Sequence, residues 1–151
     1  MLVGICGNSG SGKDTVADYL CKNKGFVKVA FADPMKRFVQ DVFDFSDEQI
    51  WGPSENRNAG DPRYPRMKAV HEPGLKDFLE PDLLSPRFAL QTLGTDWGCN
   101  CYGAVWLDYA IRVQDLLQAG GYAYDTRGGL YSVSPLWERV SNPEALLWAR
   151  S

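Results

Sequence analysis

The chain has 151 residues, 44% of them hydrophobic and 23% charged. That is enough apolar material for one compact core and too little length for two ordinary domains, so a single domain over residues 1–151 is expected. A net charge of −3 gives no overall electrostatic reason to bind a nucleic acid polymer, although a local basic patch can still hold a small anion. Cys6, Cys21, Cys99 and Cys101 show neither C-x-x-C spacing nor the density of a disulfide framework, and the single histidine, His71, has no second ligand at metal-site spacing. The apolar start over residues 2–6 is too short for a signal-peptide core or a membrane span, so a cytoplasmic protein without a membrane partner is expected.

In chain order, residues 2–6 read as a strand buried on both faces of a parallel sheet. The loop GNSGSGKDT follows, and then a helix in which Val16 and Leu20, and Ala17 and Cys21, recur at i, i+4 before Gly25 closes it. Strand, glycine loop and helix are the setting that a G-x-x-x-x-G-K-[ST] phosphate loop requires, with one departure: Asp14 stands where a hydroxyl is expected and Thr15 comes one step late. Gly7, Gly10 and Gly12 permit turns that aim N–H groups inward, the first helical turn adds unpaired donors and a positive dipole end, and Lys13 adds a point charge. Asn8, Ser9, Gly10, Ser11, Gly12, Lys13, Asp14 and Thr15 are therefore the expected polyphosphate cradle. Mg²⁺ prefers hard oxygen ligands, so Asp14, directly or through water, and Thr15 are the expected metal positions.

A weaker strand over residues 26–31 leads to a helix with Asp33 as N-cap and Pro34 as its first residue. Met35, Phe38, Val39, Val42 and Phe43 form its core-facing stripe. Lys36 and Arg37 lie in the first turn, where the helix dipole disfavours cations, and this points to a bound anion or to a solvated pair. Ser46 with Gln49 makes a capping box for a short helix ended by Gly52 and Pro53. Residues 54–84 read as irregular, rich in proline and in basic residues such as Arg57, Arg63 and Arg66, with a brief helix near residues 75–79. Ser85 and Pro86 start a further helix that Gly94 ends; Arg87 and Gln91 share one of its faces, with Arg87 another cation in an unfavourable first turn. A helix from Trp106 to Leu117, a hairpin over residues 122–133 and a short helix near residues 142–148 complete the chain.

Four ordered motifs, GxxxxGKDT, FADPMK, EQIWGPSE and SPRFALQTLGTDWG, resemble the bacteriophage deoxynucleoside monophosphate kinases, a branch of the P-loop nucleotide kinases. The resemblance implies a three-layer α/β/α fold with a parallel sheet, and transfer of the ATP γ-phosphoryl group to a deoxynucleoside monophosphate with Mg²⁺. It implies catalytic roles for Lys13, Asp33 and Arg87, and acceptor binding by Asp33, Lys36, Arg37, Arg57, Arg87 and Gln91. The partners would be small nucleotides, the setting a host cytoplasm if the chain is of phage origin, and a homodimer is open. In that family Asp is usual after the loop lysine. Two departures stand out: Cys99 occupies the place of an arginine, and no later apolar run ends in an acid that leads to an arginine. The sheet therefore reads as incomplete, completed by a partner chain, or shortened at the C-terminus. A nucleotide-binding module without transferase activity, and a kinase for another small phosphorylated acceptor, remain alternatives.

Overall fold

A computed structural model describes residues 2–8 and 10–133. They form two compact units, one built from the residues up to Asp33 together with those from Trp106 onward, the other from Pro34–Val105.

In the first unit the glycine loop runs into α1 (Lys13–Lys24), which Gly25 closes in a left-handed conformation with its N–H on the Leu20 carbonyl. The expected helix is therefore present, with the expected stop. Helix α2 (Ala32–Phe43) begins at the unit boundary, and α5 (Val105–Ala119) ends at Gly120 and Gly121, both with positive φ. Strands β3 (Tyr122–Asp125) and β4 (Gly129–Ser132) form the expected hairpin, antiparallel, with Ala123 opposite Tyr131 and Tyr124 opposite Leu130. Residues 2–6 and 26–31 carry no strand pairing, and Leu2, Val3 and Ile5 are exposed. Helix α1 fully buries none of its residues: of its apolar pairs, Ala17, Leu20 and Cys21 are half-buried and Val16 is exposed.

The second unit holds a small, well-defined core. Val39, Phe45, Ile50 and Ala89 are buried in one cluster, with Phe43, Trp51, Tyr64, Leu84, Leu90 and Leu93 packed around it. Phe43 and Phe45 stack with ring centroids 5.4 Å apart, and Tyr64 meets both edge-on, a geometry that suits the aromatic quadrupole. The Tyr64 hydroxyl donates to the Phe43 carbonyl, which satisfies the one polar atom that this ring brings inward. The stripe read on α2 is narrower than expected: Val39 is buried, but Phe38 and Val42 are about half exposed. After α2 the chain turns at Asp44 in a left-handed conformation (φ 50°), which Asp tolerates better than most residues, and Arg63 donates to the Asp44 carbonyl at 2.9 Å.

Helix α3 (Asp47–Trp51) carries the expected capping box in full, Ser46 Oγ accepting from the Gln49 N–H and the Gln49 side chain from the Ser46 N–H. A 3₁₀ turn (Ser54–Arg57) follows. The segment expected to be irregular, with a helix near residues 75–79, is instead an antiparallel hairpin: β1 (Pro65–Val70) pairs with β2 (Phe78–Leu83). Its prolines concealed it. In a two-stranded ribbon both strands are edges, so Pro65 and Pro81 cost no shared ladder bond. Opposed Arg66 and Asp82, and Lys68 and Glu80, make cross-strand ion pairs at 3.1 and 3.4 Å.

Helix α4 (Pro86–Gln91) starts as expected, with Ser85 accepting from the Phe88 N–H. It does not stop at Gly94. A π-helical stretch, Thr92–Cys99, carries the turn through that glycine, and the Cys99 thiol donates to the Gly94 carbonyl at 3.3 Å. Gly94 is buried, and a Cβ there would lie 2.8 Å from Met35 Sδ, so its role is close packing rather than termination.

Candidate functional site

In the first unit, the loop folds as a preformed turn. The Asn8 carbonyl accepts from the Ser11 N–H at 3.2 Å and from Lys13 Nζ at 3.3 Å. Gly10 and Gly12 take φ near 80°, conformations that side chains resist, and Gly12 serves as the N-cap of α1 without any side-chain cap. The first-turn N–H groups of a helix lacking a side-chain cap stay available to an anion. Asn8, Gly10, Ser11, Gly12, Lys13, Asp14 and Thr15 thus lie along one continuous bend; Ser9 is outside the described residues.

Asp14 is not idle. Its Oδ1 lies 3.1 Å from Lys28 Nζ, and the same ammonium donates to Asp18 Oδ1 at 2.9 Å. Burial works against the charge on Lys28, but its hydrogen bonds to Asp18 and Asp14 outweigh that and hold its pKa above the ordinary lysine value.

Asp33, expected to cap α2, lies inside the first turn of that helix. Its carboxylate turns back instead, and Oδ2 accepts from the Ala30 N–H at 3.1 Å and from the Tyr124 hydroxyl at 2.8 Å. The helix begins at Ala32, two residues earlier than Pro34 suggests, so the side chain that would cap forward is spent on the preceding turn. Asp33 is buried, and Tyr109 O–H approaches Tyr124 O–H at 3.4 Å. Sequence reading missed this group because 91 residues separate Tyr124 from Asp33. It also missed that β3 ends on Asp125 and is followed by Arg127, whose N–H donates to the Asp125 carboxylate at 3.0 Å.

The second unit has an open cleft of about 920 Å³, walled by the β1–β2 hairpin and α4. Arg87 and Gln91, both expected to bind the acceptor, line it, together with Arg66, Lys68 and Phe88. The Arg66 guanidinium lies 3.5 Å from the centre of the Phe88 ring while its Nε bonds Asp82, a stacked and charge-assisted placement. Arg87 donates to Asn58 and, at 2.9 Å, to Ser54 Oγ, which tethers the 3₁₀ turn to α4.

The remaining cations do other work. Arg57 donates to the carbonyls of Ile50 and Gly52 at 3.0 and 3.2 Å, closing the end of α3; burial, and then the charge of nearby Arg87, lower its pKa. Arg63 is locked on Asp61 and Asp44. Lys36 lies 4.9 Å above the Trp51 ring, and neither Lys36 nor Arg37 lines the cleft. Among the described residues no group of three or more His, Cys, Asp or Glu is placed to hold a metal. No helix among them is long and apolar enough to cross a membrane.

Residues 1–61 match the family model described as deoxynucleotide monophosphate kinase. At the level of single proteins, the chain is 40% identical over 86 residues to "Putative deoxynucleotide monophosphate kinase" of Acanthamoeba polyphaga mimivirus. That alignment covers 53% of this chain and 45% of the relative, so the matched region spans less than half of the relative's length. No solved structure matches.

Proposed function

We propose that the chain is an ATP-dependent deoxynucleoside monophosphate kinase. The observation that carries this reading is the coincidence of the matched region with the glycine loop, whose backbone donors and Lys13 form an anion cradle. Phosphoryl transfer asks little covalent chemistry of a protein; it needs positioned cations and donors around the moving group. Lys13 and the N–H groups of residues 10–15 hold the β- and γ-phosphates. Thr15 offers Mg²⁺ a hydroxyl ligand, and Asp14, whose carboxylate is already on Lys28, acts in its outer sphere. When bound, the metal neutralises charge on the transferring phosphates.

The cleft of the second unit takes the acceptor. Arg87 and Lys68 supply charge for its phosphate, the Arg66–Phe88 stack offers a platform for a base, and Gln91 offers an amide to its edge. Asp33, held by Tyr124, fixes the start of α2. Formation of ADP dependent on each of dGMP, dTMP, dAMP and dCMP, followed with a coupled assay, tests the proposal; no turnover with any of them refutes it.

One observation favours a second reading. The Cys99 thiol is spent on the Gly94 carbonyl where the resemblance places an arginine, and a thiol cannot supply a phosphate fork. A binding module would retain ATP affinity by calorimetry and show no acceptor-dependent ADP.

A further inference from the structure

Asp14 poses an electrostatic problem for any anion-binding loop. A carboxylate in the first turn of α1 lies next to the donors that would receive a polyphosphate, and Asp18, one turn further on, adds a second negative charge. Like charges at i, i+4 on a helix repel each other, and both oppose an incoming triphosphate. A hydroxyl residue at position 14 would bring no such penalty.

The structure places one cation on both carboxylates. Lys28 comes from the stretch beyond Gly25, and its ammonium reaches Asp14 Oδ1 at 3.1 Å and Asp18 Oδ1 at 2.9 Å. The lysine side chain is about one-third exposed (36%), against 72% for Asp14 and 70% for Asp18, so it is the most covered of the three and sits between two exposed acids. We propose that Lys28 is a positioning residue of the nucleotide site: it neutralises Asp14 and holds that carboxylate off the phosphate path, so that the loop binds a triphosphate before any divalent ion arrives. Asp14 is then a brace rather than an inner-sphere metal ligand. The inference rests on the nucleotide reading of the loop.

Charge arithmetic sets the expectation. With Lys28 the three side chains sum to −1; without it they sum to −2 beside a tetra-anionic ligand. The test is calorimetric titration of the full chain with ATP in EDTA, at low and at moderate salt. Lys28→Met should weaken ATP binding roughly five- to tenfold at low salt, and the loss should shrink toward twofold as salt is raised, because exposed charges are screened beyond about 10 Å at 0.1 M. Lys28→Arg should restore affinity. The decisive comparison is Asp14→Asn: in that background Lys28→Met should cost clearly less than in the wild type, since only Asp18 is left for the lysine to answer. A lysine that merely braced the fold would lose affinity equally in both backgrounds and at both salts.

If Lys28→Met unfolds the chain, Lys28→Gln, which keeps the polar stem, takes its place, and circular dichroism separates loss of fold from loss of affinity. Unchanged ATP affinity in the lysine variants, or an equal loss in the Asp14→Asn background, overturns the inference while leaving the nucleotide reading intact. A wild-type chain that binds no ATP, with or without Mg²⁺, overturns both.

Discussion

The two units solve the problem of burial differently. The second is held by a core of Val39, Phe45, Ile50 and Ala89, bracketed by a complete capping box, an arginine that closes α3 and a hairpin with paired charges. The first carries the glycine loop, yet Leu2, Val3, Val16 and Tyr19 are exposed and α1 fully buries none of its residues. One unit is defined by apolar packing and the other, as described, by a backbone shape that suits an anion. The contrast teaches that the shape of the glycine loop is local: it is written in glycine conformations and one helix end.

The sharpest way to break this contrast is at the loop. Lys13→Ala should weaken ATP binding by more than roughly 100-fold while moving the melting temperature by less than about 2 °C, since an exposed lysine carries ligand charge and little packing. Its ammonium bonds the Asn8 carbonyl, a loop contact rather than a core one. Calorimetry and a thermal melt on the same sample decide it; intact affinity removes the loop from the site.

The complementary change lies in the other unit. Ile50 is fully buried, and Ile50→Ala should cost about 2–5 kcal/mol, read from urea unfolding, with most of the loss in the cavity left behind. A cost under about 1 kcal/mol would mean that the cluster does not hold its unit together.

Between these in kind, and smaller, is the cleft. Arg87→Ala should raise the acceptor KM about tenfold with little change in ATP affinity, because it removes one charged donor from a site that keeps Arg66 and Lys68. Steady-state kinetics with the acceptor varied against saturating ATP gives the ratio. A loss confined to ATP affinity would assign Arg87 to the other nucleotide.

What the sequence revealed follows the same division. Signals that act within a few residues were readable: Ser46 with Gln49, Ser85 before Pro86, Gly25 after α1, and the turn between β3 and β4 all occur where spacing places them. Signals that need distant partners were not. Asp33 was read as a cap because Tyr124, which donates to it, lies 91 residues away. The β1–β2 hairpin was hidden by Pro65 and Pro81, which argue against a strand unless the ribbon has only two edges. Gly94 looked like a helix stop because a glycine required for close approach to Met35 has the same letter as one required for a turn. Of the residues expected at an acceptor site, Arg87 and Gln91 share a helix face, as their spacing implies, and line the cleft. Arg57 and Arg63 were not separable from them, since only the fold shows that one closes α3 and the other pairs with Asp61.

Asp61 supplies the smallest test and one with a definite sign. It is buried, and it accepts from Arg63 through Nε and Nη2, from the Gln49 side chain and from the Arg63 N–H. Those bonds, those from the Arg63 side chain foremost, hold its carboxyl well below the ordinary aspartate range, while the same pairing raises Arg63. A folded-state pKa below the unfolded value means that the carboxylate contributes stability which is fully present above about pH 4 and is lost as pH falls through the depressed value. Arg63 stays charged throughout, so the dependence belongs to Asp61. Asp61→Asn should therefore lower the melting temperature by a few degrees at pH 7, and the gap between the two proteins should be constant from pH 5 to 8 and narrow below about pH 4. A gap that persists unchanged at about pH 2.5 would show that Asp61 acts through shape and neutral hydrogen bonds, and would leave the second unit's stability to its apolar cluster alone.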